Sequence, residues 1–449
     1  MKSKVHYIAR LAGILAALLI FMGVVYVLDY LYVDPGGTLH VLWHQFYEDR
    51  GKIDNIYLGS SHVFQDINPM LLDELNGQYN FDLSSPEQVL NGSYFLLKEA
   101  DRTNTLSHVY LELFCSSHSS GTVDPLENEY FYARNWGNTD FMELSPIKLE
   151  YALSIAGPEK YTEIFLPFTR YRDKLDDWEY IKHVMEAKQS DDYLSYKGEH
   201  LGDDVEYNER QGQGYVYSTI IFKDIQRRGT FSRMDEKPIG EKSEQYLRKI
   251  IRYCQDRDIE IILFMSPVDG LYLTGVENYD NLVKQIKEIA GEYHIPFYDF
   301  NLAKEEYLPL NKSEHFCDSA HLNHEGADIF TPFFHEVVSA SVSDNEEKFY
   351  DTYVEKQKNS APDVYGIIYM NTEFVEETHR YSRYQIASNK NSGIEYRIII
   401  TPDEGEQYMV QDFTENKEFA IRTREHGTCT IVSRIKDTPD VVQTLEIDY

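Results

Sequence analysis

The chain has 449 residues, 43 of them Lys or Arg and 75 Asp or Glu, for a formal net charge of −32. So acidic a chain lacks the basic footprint that displaces counterions from nucleic acid, and broad adhesion to an anionic membrane surface is disfavoured as well. With 42% hydrophobic residues and 36 Tyr it is not a disordered chain, and at roughly 100 to 200 residues per domain its length predicts two or three domains.

The first residues have the opposite sign. Lys2, Lys4 and Arg10 precede an uncharged run from Leu11 to Leu28, with Tyr26, Tyr30 and Tyr32 at its outer end. That run suffices to span a tilted bilayer, and its aromatic end suits the membrane interface. A cleavable signal has a shorter apolar core and a small-x-small site, and none stands before Asp29. Residues 1–33 are therefore read as a cytoplasmic tip and a single-pass membrane anchor, against a cleaved signal or a buried core helix. The positive-inside rule then puts the bulk of the chain outside the cell membrane.

Asp34, Pro35, Gly36 and Gly37 form a turn-rich start to a domain spanning 34–343. Short apolar runs alternate with helical stretches: strands at Ile53–Leu58, Tyr79–Leu83 and His108–Phe114, a helix at Pro86–Arg102, a helix at Glu241–Arg257, a strand at Glu260–Met265, a helix at Asn278–Tyr293, a strand at Ile295–Phe300 and a closing helix at Gly326–Ser339. This order predicts right-handed crossovers and a parallel sheet covered on both faces. A Tyr-, Asp- and Glu-rich insertion at about 116–237, holding Trp136 and Trp178, reads as mostly helical with long loops, either a lid or plain decoration. Residues 344–360 read as a charged linker. Residues 361–449 carry six short alternating runs, at Val364–Met370, Ile394–Ile400, Gln407–Phe413, Phe419–Arg424, Thr428–Ser433 and Gln443–Ile447, and predict a small antiparallel sandwich.

Chemistry concentrates in two places. Gly59-Ser60-Ser61 follows the first strand, and Cys317-Asp318-Ser319-Ala320-His321 precedes the last helix. A hydroxyl nucleophile needs an imidazole to take its proton, and the imidazole needs a carboxylate to fix its tautomer. Gly59 permits a tight strand-to-helix turn, and the helix start offers N–H groups to an oxyanion.

On these residues the chain resembles the SGNH/GDSL hydrolase superfamily over roughly Ile53 to Ser339, with Gly59-Ser60-Ser61 standing where the family has Gly-Asp-Ser. The resemblance implies a three-layer α/β fold, Ser61 as nucleophile (or Ser60, if the turn is aligned one residue earlier), and Asp318 and His321 as its partners. The anchor, the turn and the insertion look most like the membrane-anchored extracytoplasmic branch that includes the teichoic-acid D-alanylation protein DltD and alginate O-acetylation proteins. That branch implies an acyltransferase or esterase on cell-envelope polysaccharide or a teichoic-acid-like polymer, beside a polytopic membrane O-acyltransferase and without cofactor or metal. The chain departs from the family at its oxyanion hole. Ser85, after the second strand, stands in for a Gly, and Cys115-Ser116-Ser117-His118 offers no Asn after the third. Ser60, Ser85 and Ser116 are the oxyanion or substrate candidates. A catalytically inactive glycan-binding or scaffolding subunit is the alternative.

Other residues carry two readings each. His62 is a substrate contact or a solvent-facing helix start. His315, Asp318, His321 and His324 form a series that invites a metal, but it lacks a completing set of ligands. Ser266-Pro267-Val268-Asp269 lines the cleft or is a plain turn, and Asn323 and Gly326 read as cap and packing residues of the last helix. The four Cys make no disulfide framework, though Cys115 and Cys317 both fall beside the proposed site, where a bridge between them is one option.

Overall fold

The computed structural model describes residues 2–113, 129–157, 160–196, 209–222, 226–228, 232–376, 379–423 and 426–449. Helix α1 (Lys2–Tyr32) contains an apolar stretch, Arg10–Tyr32, long enough to cross a membrane, exposed from Arg10 to Val24 and covered by the protein only toward Tyr32. Its 23 residues rise about 34 Å at 1.5 Å each, against a hydrocarbon core of about 30 Å. Leu11, Leu15, Leu19 and Ile20 are all exposed on it, an arrangement that calls for an apolar surrounding.

A five-stranded parallel sheet follows, built from β1 (Asn55–Leu58), β2 (Asn80–Asp82), β3 (His108–Glu112), β4 (Glu260–Met265) and β5 (Phe297–Asp299) in the order 2-1-3-4-5. Asn55 sits opposite both Asn80 and His108, and His108 opposite Glu260. The chain reverses its direction of travel across the sheet between β1 and β3, and the crevice at the carboxyl ends of those strands is where such sheets bind ligands.

Alternation along the strands sends side chains to two cores. On one face Ile56, Leu58, Val109, Leu111 and Leu263 pack under α2 (Thr38–Glu48), α5 (Leu90–Thr103), α6 (Glu241–Gln255) and α7 (Tyr279–Tyr293). Leu247, Ile250, Ile251 and Cys254 show why α6 docks there: the i, i+3, i+4, i+7 spacing makes one apolar stripe, and all four are buried. On the other face Tyr57, Tyr110, Ile262 and Phe264 meet α3 (Ser61–Asp66), α4 (Pro69–Asn76) and α8 (His324–Ser339). Tyr57 and Tyr110, paired across the sheet, stack at 4.6 Å with Phe334 of α8 set edge-on to Tyr110 at 5.5 Å. Helix α4 shows its limits in its sequence. Asn68 caps its start by accepting from the Leu71 N–H, Pro69 opens it, and Gly77 ends it at φ +68°.

The insertion holds helices at Glu129–Phe141, Pro146–Ile155 and Trp178–Lys188, as its composition predicts, but also a hairpin pairing Glu209–Gly212 with Tyr215–Tyr217. Gly214 in that hairpin turns at φ +86° with its Cα pressed on the Asp82 carbonyl, so that a Cβ would lie 2.0 Å from that oxygen. Residues 344–360 are folded against the α/β layers. The Tyr353 N–H donates to Asp280 at 2.6 Å, and Lys356 Nζ donates to the Asn301 and Ala303 carbonyls.

The C-terminal region is antiparallel apart from one borrowed strand. Its strands are β6 (Val364–Glu376), β7 (His379–Ser388), β8 (Ile394–Pro402), β9 (Tyr408–Thr414), β10 (Glu418–Arg422), β11 (Gly427–Ile435) and β12 (Val441–Asp448), seven where the sequence shows six. One sheet runs β10-β7-β6 and gains Gln226–Arg228 of the insertion as a parallel edge strand, while the other runs β9-β8-β11-β12. Ile367, Ile386, Ile398, Ile400, Ile421 and Ile431 fill the space between them. This region docks beside the carboxyl ends of the central sheet, where Leu271 packs on Ile368 and Ala387.

Gly270 lies beneath the Tyr365 ring at this junction, and an added Cβ would sit 2.3 Å from the ring. Gly270→Ala is therefore expected to lower stability by about 1–3 kcal/mol through overpacking, read as a lower urea midpoint. An unchanged midpoint would show that the ring moves aside freely.

Candidate functional site

Strand β1 delivers Gly59, Ser60 and Ser61 to the crevice, and the first turn of α3 begins at Ser61. Gly59 has φ +156°, and a Cβ there would lie 2.6 Å from Glu112 Cβ and 2.8 Å from Val63. Only glycine lets the chain pass this close to β3. Two serines follow and point apart. Ser61 Oγ is 2.6 Å from His321 Nε2, whereas Ser60 is buried with its Oγ 2.9 Å from His62 Nδ1 and 3.3 Å from Glu112 Oε2.

The partner loop comes from the segment before α8. His321 Nδ1 lies 2.8 Å from Asp318 Oδ2 and 3.0 Å from Oδ1, and the same carboxylate accepts the Ala320 and His321 N–H groups at 2.7 and 2.9 Å. Burial alone would raise the Asp318 carboxyl, but the hydrogen bond and charge of His321 and those two backbone donors outweigh it and hold the group below its ordinary value. Ser61, His321 and Asp318 thus form one continuous chain, with an ionised acid at its end.

Two further contacts fix the loop. A bridge between Phe316 and Leu322 closes it, and the Leu322 N–H donates to Asp66 Oδ1 at 2.9 Å. Helix α3 therefore carries Ser61 at its first position and, five residues on, the carboxyl that anchors the residue after His321. Asp66 is fully buried, and its pKa is pushed well above the ordinary value, first by burial and then by the negative charges of Glu112 and Asp318. The carboxyl thus holds its proton to higher pH than an ordinary carboxylate while accepting the Leu322 hydrogen bond.

His62 is neither a solvent-facing nor a substrate-facing side chain. It is buried, and its ring stacks on His321 with centroids 4.6 Å apart. Burial, and then the His321 charge, push its pKa well below the ordinary value, so the stacked ring is a neutral imidazole.

The remaining sequence candidates separate. The Ser85 hydroxyl donates to Gln88 at 2.9 Å and accepts from Asn138 at 2.8 Å, so what Ser85 has to offer an oxyanion is its backbone N–H. Ser116 lies outside the described residues, as does Cys115. Cys254, Cys317 and Cys429 are free thiols.

The His-Asp series does not converge. His315 Nδ1 accepts from the Asn311 N–H, and His324 packs on Tyr217 and contacts the Ser218 carbonyl. Among the described residues only Cys317, Asp318 and His321 bring donor atoms within 4.8 Å of one another. Burial and the charges of Asp318 and Asp66 push the Cys317 thiol well up, away from the thiolate that a metal prefers.

Asp269 caps the turn at Gly270–Leu273, and its N–H donates to the Ser319 carbonyl at 3.1 Å, bracing the loop that carries Asp318 and His321. Asn323 caps α8 by accepting from the Gly326 N–H, and the close approach of the His315 carbonyl leaves no room for a Cβ at Gly326.

Glu112 and Asp66 are the site residues that sequence reasoning passed over. The available signal was a lone carboxylate inside the apolar strand HVYLELF, and another at the end of the short helix after the turn.

No family model matches the chain, and no curated protein matches it. Among solved structures, a proposed acylhydrolase from Bacteroides fragilis aligns at 10% identity with a TM-score of 0.30, over 65% of this chain and 92% of the other. A double mutant of an endo-β-1,4-mannanase from Cellulomonas fimi aligns at 9% identity with a TM-score of 0.16, over 93% of this chain and 98% of the other. Both scores are too low to bear on fold or activity, and the site's chemistry follows from its own geometry.

The raised pKa of Asp66 has a testable signature. A carboxyl whose folded pKa is raised binds its proton more tightly in the fold, so its contribution to stability is present at low pH and is lost as pH rises through the folded value. Asp66→Asn keeps the acceptor for Leu322 and has no proton to lose. The melting temperature of this variant relative to the parent is expected to climb as pH rises above the ordinary carboxyl range. A constant difference would mean that the buried carboxyl is ionised throughout.

Proposed function

We propose that this chain is a membrane-anchored, extracytoplasmic serine acyltransferase or esterase of the SGNH type, acting on O-acylated cell-envelope polysaccharide or a teichoic-acid-like polymer. The observation that carries this reading is the unbroken chain from Ser61 Oγ through His321 to Asp318, at the carboxyl end of β1 beside the switch point of the sheet.

In this mechanism Ser61 Oγ attacks the acyl carbonyl while His321 Nε2 takes its proton. Asp318 keeps Nδ1 protonated and stabilises the imidazolium. The oxyanion is held by the Ser61 N–H at the start of α3, with the Ser85 N–H as second donor. Collapse breaks the ester C–O bond, and His321 returns the proton to the departing hydroxyl. A sugar hydroxyl or water then attacks the acyl-enzyme, with His321 again as base, and restores Ser61. Helix α1 holds the site outside the membrane, where a polytopic O-acyltransferase is the partner that would supply acyl groups.

A fluorophosphonate probe on the full-length chain in detergent separates this reading from a binding-only subunit. Labelling is expected in the parent and in Ser60→Ala, and none in Ser61→Ala. Asp318→Asn is expected to slow ester turnover by roughly 10³- to 10⁴-fold, since the wrong tautomer of His321 then faces Ser61. A folded parent that never labels would favour the glycan-binding or scaffolding alternative.

A further inference from the structure

The outer end of α1 does not lead into a free tether. Lys188 Nζ donates to the carbonyls of Asp29, Tyr30 and Val33 at 3.3, 2.9 and 2.6 Å. The Tyr180 hydroxyl donates to the Tyr32 carbonyl at 2.9 Å, and the Tyr32 hydroxyl to the Leu175 carbonyl at 3.1 Å. The Phe168 N–H donates to the Asp29 side chain at 2.9 Å. The last carbonyls of a helix have no partners within it, and here the insertion supplies them.

The same stretch exposes large apolar side chains beside those contacts. Phe165 is 65% exposed, Leu175 47% and Trp178 67%. Leu175 is itself the residue whose carbonyl Tyr32 bonds, and Trp178 opens the helix that carries Tyr180 and Lys188. A Trp, a Phe and a Leu left in water around the base of a membrane helix match the composition of the headgroup layer, where amphipathic rings settle.

Charge agrees. Residues 160–188 hold six Lys or Arg and six Asp or Glu and are neutral, in a chain whose net charge is −32. Arg172, Lys174 and Lys182 are exposed, within reach of lipid phosphates. The acidic average of the chain would be repelled by an anionic bilayer, but this segment is not.

We infer that residues 161–182 form an interfacial collar, seated in the headgroup layer around the point where α1 leaves the bilayer. The occupant of the apolar rim is the membrane surface, and the α/β layers are thereby held at a set height and tilt. This rests on α1 remaining as an anchor.

The three Trp residues make the test direct, because Trp43 and Trp136 are 1% and 7% exposed and Trp178 is open. The full-length chain is reconstituted into phosphatidylcholine–phosphatidylglycerol vesicles with brominated acyl chains. Bromine is expected to quench a component of the emission that is missing in Trp178→Phe, and aqueous iodide is expected to leave that component largely unquenched. Iodide quenching of Trp178 without bromine quenching would overturn the collar. Shielding from both quenchers would also overturn it and would point to a protein on this rim. A chain that fails to float with the vesicles would overturn the anchor and the collar with it, so the two failures are distinguishable.

Discussion

Asp66 and the Leu322 N–H join two parts of the chain that are 256 residues apart, and the alignment of Ser61 with His321 depends on that bond. The bond works because α3 is short and stiff. Its first residue faces the crevice and its last turns inward, so anchoring the loop to one end places it over the other. Breaking the bond would leave a buried N–H unmet, at a cost of about 1–3 kcal/mol, and would free the residue that follows the imidazole. Glu112 and Asp318 stand close to Asp66, and three carboxyls around one turn cannot all be ionised without strong repulsion. The fold answers this by lowering the Asp318 pKa, where His321 and two backbone donors meet the carboxylate, and raising that of Asp66, where burial outweighs its hydrogen bonds.

Much of this was legible in the sequence wherever structure is local. The strand Glu260–Met265 falls on the residues that its apolar run marks, and α6 begins at the predicted residue because Glu241 opens an amphipathic stripe. Ser61, Asp318 and His321, which the fold brings into hydrogen-bond distance, each fall where a strand end or a loop carries a recognisable motif. What escaped was non-local. Strand β7 is central in its sheet, yet one of its buried positions is Ser382 and its ends carry His379 and Arg380, so no clean alternation shows. Gln226–Arg228 becomes a strand only because β6 offers an edge to pair with. The burial of His62 depends on His321 closing over it from the far end of the domain, which no local pattern records.

The charge total takes on a different meaning once the insertion is placed. A net charge of −32 argued for an ectodomain held near the membrane by one helix alone. The neutral stretch that grips the end of α1 is a local exception to that average. Rigid attachment has a consequence for chemistry on a polymer. A site on a flexible tether samples a wide volume, whereas the docked one we propose would act at a fixed distance from the bilayer.

Glu112 accounts for both residues that precede Ser61 in the turn. Its Cβ lies where a side chain at position 59 would begin, so that position must be glycine. Its carboxyl lies 3.3 Å from Ser60 Oγ, so an Asp at position 60, as in the Gly-Asp-Ser pattern, would set two buried carboxyls against each other and force one to take up a proton. A serine there donates to Glu112 and leaves its oxygen in reach of His62, turning a repulsion into a hydrogen-bonded series beneath Ser61. Ser60 is thus explained by the buried acid beside it, and Ser61 keeps the geometry that His321 requires.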